Sequence, residues 1–370
     1  MSTMGDRERV IVAMSGGVDS AVAAALLQEQ GYAVTGVMLH LWSEPGVGVE
    51  NRCCTPQAVK DARRVARALD IPFRVLDAAR RFKSAVVDTF IEEYGRGRTP
   101  NPCVTCNRRI KFGYLLEMAR VAGADYLATG HYAAIRRTNG TYRLLRGADP
   151  RKDQSYFLYT LGQAQLQNVL FPLGELTKPQ VRRLAEQWEL PVARRDESQD
   201  ICFVRDQDYG RFLREYAPHT LEAGPILDRQ GRQLGEHQGL PLYTIGQRRG
   251  IGVSWSEPLY VLAKDVSRNA LIVGPASQLG RQRFRAEDAR FVAGHPPSFP
   301  ARVGVKIRST GREARAVLHP GPGGTVWVET ERPLRDVTPG QAAVFYRGRD
   351  VLGGGVISSA ESQSHGESEA

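Results

Sequence analysis

Val10-Ile11-Val12-Ala13-Met14-Ser15-Gly16-Gly17-Val18-Asp19-Ser20 is the stretch around which the chain is organised. An apolar run leads into two adjacent glycines, and an alanine- and leucine-rich segment, 21–30, follows. That order predicts a buried strand, a tight turn and a helix, the setting a phosphate-binding loop requires. Paired glycines let the backbone approach a ligand with no Cβ in the way. Ser15 and Ser20 supply hydroxyls, and the N–H groups of an opening helix point at an anion lodged there. No lysine follows the glycines, so this is not the Walker loop of phosphoryl-transfer ATPases.

The chain has 370 residues, too many for one ordinary core, and two or three domains are expected. Its hydrophobic share of 42% and charged share of 24% describe a folded, soluble protein. No apolar run is long enough to span a bilayer and no secretory leader opens the chain, so a cytoplasmic setting is expected. The formal net charge of +10 permits a polyanionic partner without requiring one. Five cysteines fall at Cys53-Cys54, Cys103 with Cys106, and Cys202. In a chain this size they are not a disulfide framework; they point to thiol chemistry or a metal. Cys53 and Cys54 lie in an irregular loop and are read as structural or incidental.

Strand and helix signals alternate through the first half. Ala33-Val34-Thr35-Gly36-Val37-Met38-Leu39 reads as a second strand, whose end lies beside the first loop in a doubly wound sheet. Met38 there either meets a nucleotide base or simply fills core. Helical spacing over 57–69, a strand over 72–76 and helical spacing over 80–94 follow. Gly-Arg-Gly-Arg-Thr-Pro-Asn-Pro, 95–102, breaks the pattern, and helix signals resume at Asn107. Cys103 and Cys106 are therefore expected at or just before a helix N-terminus, where the dipole lowers a thiol pKa. A buried strand over 126–129 ends in Gly130-His131-Tyr132, Asn139-Gly140 marks a hairpin, and a helix is expected over 178–187. Arg194-Arg195-Asp196-Glu197-Ser198-Gln199-Asp200 runs straight into Ile201-Cys202-Phe203-Val204. A lone cysteine beside Ile and Phe reads first as a small buried hydrophobe. Beyond Gly280 short strands, 302–307, 314–318, 325–329 and 342–346, alternate with Gly/Pro turns and predict a small β-barrel or sandwich. From Ser358 the chain is Ser/Glu-rich and reads as a disordered tail.

These pieces together resemble bacterial tRNA-specific 2-thiouridylases over nearly the whole length. The loop alone resembles the pyrophosphate loop of ATP pyrophosphatases generally, including synthetases for GMP, asparagine, NAD and lysidine. The matching stretches are 14–20, 101–112, 129–132, 152–158, 171–176, 201–203, 246–252 and 340–346; the two later thiol sites, with the Lys152-Asp153-Gln154 block between them, separate this family from those. The resemblance implies an α/β fold: a doubly wound, mostly parallel sheet with a pyrophosphate loop over 1–209, a small central domain over 210–278, and a C-terminal β-barrel that contacts tRNA over 279–357, before a tail, 358–370. It implies ATP-dependent 2-thiolation of the wobble uridine, position 34, with ATP and Mg²⁺ and a persulfide donor. Ala13, Met14, Ser15, Gly16, Gly17, Val18, Asp19 and Ser20, with Met38 and Gly130, match ATP-contacting positions. Asn101, Pro102 and Cys103 match the positions that meet the target base. Cys106 matches the nucleophile and Cys202 the persulfide carrier; one route to sulfur release is a Cys106–Cys202 disulfide. His131, Lys152, Asp153, Gln154, Arg308, Ser309 and Gln341 match positions that touch tRNA. A desulfurase or relay protein is implied as the source of sulfur, and no membrane partner.

The chain departs from the family pattern twice. Cys103 stands where well-known members often carry Asp, and Ser309 where Tyr is common. With Cys103 present, three thiolates, Cys103, Cys106 and Cys202, become a candidate ligand set for a [4Fe-4S] cluster or a zinc ion. A cluster-dependent version of the same thiolation is thus the first alternative. A different adenylating enzyme with the same loop, which needs no reactive thiols, is the second. A non-catalytic RNA-binding protein is the third, and the intact Ser15–Ser20 loop argues against it.

Overall fold

The computed structural model describes residues 7–42, 44, 55–195, 201–204, 206 and 208–360, the side chains of 359 and 360 excepted. Cys53, Cys54, the run from Asp196 to Asp200 and residues 361–370 lie outside them.

Five parallel strands form the first sheet: β1 (Arg9–Ala13), β2 (Ala33–His40), β3 (Phe73–Asp77), β4 (Tyr126–Thr129) and the short β7 (Val169–Leu170), in the order β3-β2-β1-β4-β7. Val10 and Val12 of β1 are buried in the core on one face of the sheet and Ile11 in the core on the other, which is why its sequence is a continuous apolar run rather than an alternation. Helix α1 (Val18–Glu29) is buried on nearly every side, consistent with its Ala-rich composition. Helix α2 (Pro56–Ala68) starts at a Thr55 cap, whose hydroxyl accepts from Ala58 N, with Pro56 at the first helical position. Strand order reverses between β1 and β4, so the crevice outside their carboxyl ends is where an open α/β sheet binds its ligand. The Ser15–Gly17 turn and Gly130 both emerge there.

The hairpin β5 (Ala133–Thr138) and β6 (Thr141–Arg146) turns on Asn139 and Gly140, both at positive φ. It pairs with the C-terminal sheet rather than the first one. Four strands of the middle domain, β8 (Gly224–Leu227), β9 (Gln233–His237), β10 (Leu259–Asp265) and β11 (Ala270–Pro275), pair in the order β10-β11-β8-β9. The last third holds β12 (Arg281–Phe291), β13 (Ala301–Lys306), β14 (Ala314–Pro320), β15 (Val326–Leu334), β16 (Ala342–Arg347) and β17 (Asp350–Ala360). They run β12-β15-β14-β13-β16-β17, and β12 pairs again with β17. A closed six-stranded barrel results, filled by Phe284, Val305, Leu318, Val328 and Phe345. The hairpin extends it through Val351↔Leu144 and Asp350↔Leu145, and the Arg146 guanidinium lies 3.8 Å over the Tyr346 ring.

Two expectations need correction. The helix expected to resume at Asn107 begins at Pro102 instead and runs on unbroken, through a π-helical stretch, to Val121. Asn101 caps it, its Oδ1 accepting from Cys103 N at 3.1 Å and Val104 N at 3.4 Å, with Pro102 in the first turn. Cys103 and Cys106 therefore sit inside its opening turns. The stretch from Ser358 is not all tail: β17 continues to Ala360, where backbone pairing with Phe284 and Arg285 holds residues that lack an apolar pattern.

Candidate active site

The turn after β1 is built from its own hydroxyls. Ser20 Oγ accepts from Ser15 N (3.2 Å) and donates to the Gly17 carbonyl (3.1 Å), while Gly17 N donates to Ser15 Oγ (3.4 Å). Gly16 has a φ of +75°, and a Cβ there would lie 2.4 Å from the Ala58 carbonyl of α2. Gly130 is confined in the same way, since a Cβ would come within 2.8–2.9 Å of Asp19 and Ser20 backbone. Among the described residues no side chain caps α1, so its first-turn N–H groups face the crevice. This is a cradle shaped for phosphate, bounded by Ser15, which is exposed, and by Gly17 and Asp19, which are partly so. Met14 and Met38 are 3% and 2% exposed within the core beside it.

Asp19 ties the cradle to distant parts of the chain. Lys178 Nζ donates to both its carboxylate oxygens, at 2.7 and 2.9 Å, and Tyr132 OH donates to Oδ1 at 2.7 Å. Lys178 is itself buried at the start of a helix, Lys178–Gln187, with its backbone N–H on Asp149 Oδ2 at 3.0 Å. Tyr132 is held by Gln154, whose Oε1 accepts from Tyr132 N and whose N donates to Tyr132 O. Asp153 closes the same turn by accepting from Gly147 N, Ser155 N and Ser155 Oγ. Gln154 and Asp153 thus organise the backbone behind the cradle, and Lys152 beside them is half-buried. His131 lies under the surface, its Nδ1 2.6 Å from Thr129 Oγ1 and its ring against Phe112 and Phe171. Burial, and then the nearby Lys111, hold its pKa well below the usual histidine range.

Arg195 reaches the cradle from the other side. Its Nη1 donates to the Gly16 carbonyl at 2.8 Å and to Asp61 Oδ2 at 2.6 Å. Asp61, buried in α2, also accepts from Gln57. The sequence motifs assign no role to Lys178, Tyr132, Asp61 or Arg195. Only folding joins Asp19 to Lys178, 159 positions away, and Gly16 to Arg195, 179 positions away.

The thiols separate by environment. Cys103 is exposed, whereas Cys106 is 7% exposed within an apolar cluster containing Phe82, Phe90, Phe203 and Phe212. Cys202 packs against the edge of that same cluster. Cys106 and Cys202 are thereby brought to one apolar wall from distant parts of the chain. Among the described residues no three His, Cys, Asp or Glu side chains are grouped to hold a metal ion. The ligand set expected of Cys103, Cys106 and Cys202 is accordingly not assembled: Cys103 faces outward from the helix while Cys106 is turned into the core.

The barrel docks onto the segment leading to Asn101. Gln341 Nε2 donates to the Thr99 carbonyl (2.8 Å), Thr99 N donates to the Pro339 carbonyl (2.8 Å), and a Cβ on Gly340 would strike Thr99 backbone at 2.8–2.9 Å. Arg98 pairs with Glu287 (2.7 Å) and Arg108 with Asp288 (2.6 Å). Gln341 is therefore a strut between barrel and helix. Arg308 is half-buried, 3.5 Å from the Ile245 carbonyl and 3.7 Å from Asp336, and the backbone carbonyl of neighbouring Ser309 accepts from Lys306 Nζ. No helix among the described residues is long and apolar enough to cross a membrane.

Three family models cover the chain: a tRNA methyl transferase HUP domain over residues 8–206, a tRNA methyl transferase PRC-barrel domain over 210–275, and an aminomethyltransferase beta-barrel domain over 281–357. Proteins named tRNA-specific 2-thiouridylase are similar along nearly their whole length. That of Chloroflexus aggregans is 54% identical over 354 residues, covering 95% of this chain and 99% of its own. That of Roseiflexus sp. is 52% identical, and that of Moorella thermoacetica 51%, each covering 94% of this chain and 99% of its own. A phosphate cradle at the reversal point of a parallel sheet, two thiols on one apolar wall and this breadth of similarity agree, and the chain belongs to the tRNA-specific 2-thiouridylase family.

Proposed function

We propose that this chain uses ATP to adenylate the C2 oxygen of the wobble uridine, position 34 of tRNA, and replaces that oxygen with sulfur, releasing AMP and pyrophosphate. The observation that carries the reading is the pairing of an open phosphate cradle at Ser15–Ser20 with Cys106 and Cys202 on one apolar wall. The C2 oxygen of uracil is a poor leaving group. Attack of that oxygen on the α-phosphorus breaks the bond to pyrophosphate and turns the oxygen into part of a phosphate ester. Ser15, the Gly17 backbone and the first turn of α1 receive the departing pyrophosphate. Asp19 is a hard oxygen ligand suited to Mg²⁺, which would neutralise charge on the departing pyrophosphate.

Sulfur then arrives from a persulfide on Cys202. Its terminal sulfur attacks C2, and AMP leaves with the electron pair of the C–O bond. The Cys106 thiolate attacks the inner sulfur of Cys202, and the S–S pair moves onto the sulfur now bonded to C2. The products are 2-thiouridine and a Cys106–Cys202 disulfide, which a dithiol reductant returns to two thiols. An apolar wall suits this step because it keeps water from the adenylated base. Asn101, Pro102 and Cys103 at the helix start receive the flipped base, and Lys152, Arg308, Ser309 and Gln341 line the tRNA path, with the barrel fixed beside them. A desulfurase or relay protein supplies the persulfide, and the need for reduced thiols fits a cytoplasmic setting. The chain divides for these tasks at about residues 210 and 279, and the bounds of the family models support that division.

Incubation with ATP, unmodified tRNA and a persulfide source, followed by nucleoside mass spectrometry, tests the reading. Accumulation of 2-thiouridine at position 34 is the expected result. Adenylated tRNA with no sulfur incorporated under any donor would assign the loop to a different modification.

A further inference from the structure

A cavity of about 140 Å³ lies where the middle domain meets the barrel, and its lining shares no residue with the cradle and contains no cysteine. Its walls are apolar: Ile245, Leu262, Leu279, Val337 and Pro339. Two side chains facing it are buried at their polar ends and have no hydrogen-bond partner among the described residues, the Lys264 ammonium and the Gln278 amide oxygen. Arg281 and Arg335 also line it, Arg335 from the exposed rim. The carboxylates nearest in the chain are committed elsewhere: Asp265 to Arg268 and Ser267, and Asp336 to Arg308. A buried, unpaired ammonium is costly, and three cationic side chains around one opening repel one another unless an anion enters.

We propose that this cavity is a binding site for a phosphate-class oxyanion. The Lys264 ammonium meets it, and Arg281, one Nη of which is on the Gly280 carbonyl, and Arg335, which lies over the Tyr260 ring, have further guanidinium donors to turn towards it. The Gln278 side-chain amide accepts from a protonated phosphate oxygen, or turns its NH₂ towards an unprotonated one. Burial lowers the Lys264 pKa to about 8, since desolvation disfavours the charged ammonium. The same chemistry is offered by a free phosphate ion and by a phosphodiester of the bound RNA, and Arg308, which reaches the carbonyl of the lining residue Ile245, extends the site towards the expected tRNA path.

The test uses the full chain in phosphate-free buffer at pH 8, with chloride matching ionic strength. Limiting acetic anhydride is applied and Lys264 acetylation is followed by mass spectrometry, beside thermal unfolding. Inorganic phosphate should protect Lys264 selectively, by about tenfold at ten times its dissociation constant, and should raise the unfolding temperature. Arg335→Gln should weaken both effects, and Lys264→Met should abolish the thermal shift. Protection by unmodified tRNA without inorganic phosphate, together with a salt slope lowered by about one in Lys264→Met, assigns the anion to the RNA backbone. Protection by inorganic phosphate alone assigns a free ion. Should neither phosphate nor tRNA slow acetylation or raise the unfolding temperature, or should all lysines be protected equally, the site does not exist. Both readouts of inorganic phosphate are independent of tRNA thiolation, so failure of one assignment is distinguishable from failure of the other.

Discussion

Lys178 Nζ lies 2.7 and 2.9 Å from the two carboxylate oxygens of Asp19, inside the turn that holds the phosphate cradle. The ammonium is almost wholly buried, whereas the Asp19 side chain is 32% exposed towards the crevice. Charge on the cradle is therefore set by a pair with one member open to ligand. Asp19→Ala and Ser15→Ala are expected to abolish adenylation while tRNA affinity is kept. Lys178→Met should lower the adenylation rate and leave tRNA affinity unchanged. Pyrophosphate release from ATP in the presence of tRNA measures both, and near wild-type rates in the Asp19 and Ser15 variants would refute the loop assignment.

The same pair predicts a stability effect. Asp19→Ala leaves a buried ammonium without its counter-ion. Breaking a fully buried pair costs about 3–5 kcal/mol, and the partial exposure of Asp19 reduces this to about 2 kcal/mol. Urea unfolding should show the loss, and Asp19→Ala with Lys178→Met should recover most of it.

His131 predicts a pH dependence. Its folded-state pKa is depressed by burial and by Lys111, so the folded protein binds fewer protons than the unfolded chain. The stability it contributes is present above the unfolded value near 6.5, and falls by up to about 1.4 kcal/mol per pH unit below it. Replacing His131 with Gln should flatten that acid limb in denaturant titrations at pH 5–7. An unchanged slope would mean the ring is solvated.

Much of this architecture is legible in the sequence because it is local. The apolar run before Gly16, the Asn139-Gly140 turn and the Pro179-marked helix 178–187 each carry their signal within a few residues. What is not legible is non-local. Nothing near Lys178 announces Asp19, and nothing in the hairpin 133–146 announces its pairing with β17. β12 and β17 escape as strands for a different reason. β12 carries charges across its alternation and β17 a run of three glycines, so pairing rather than propensity makes them extended. The helix start at Pro102 was masked by the Gly/Pro-rich lead, although Asn101-Pro102 is itself a cap signal.

Arg308 and Gln341 have separable roles. Gln341 is engaged with Thr99, so Gln341→Ala should loosen the barrel from the helix start and lower turnover more than tRNA affinity. Arg308 is half-exposed, with long contacts to Ile245 and Asp336 among the described residues, and is available to a phosphate. Arg308→Ala should weaken tRNA binding and reduce its salt slope by about one phosphate contact. Filter binding across a salt series checks this; equal affinity and equal slope would remove Arg308 from the interface.

The last prediction concerns the thiols. Cys106→Ser and Cys202→Ser should each stop 2-thiouridine formation yet still adenylate tRNA, because the proposed ATP chemistry belongs to the cradle and the proposed sulfur release to the two thiols on the apolar wall. Cys103 is exposed on the opening turn of the helix, apart from that wall, and its backbone N–H, not its thiol, is what Asn101 holds. Cys103→Asp should therefore keep substantial activity when purified anaerobically and supplied with a persulfide donor. Iron and acid-labile sulfide measured on the same samples should be absent at full turnover. Activity that appears only after cluster reconstitution, and is lost with Cys103→Asp, would mean that the three thiols come together when tRNA binds. Sulfur release would then have to be rewritten around a bound iron, while the adenylation step at Ser15–Ser20 would stand.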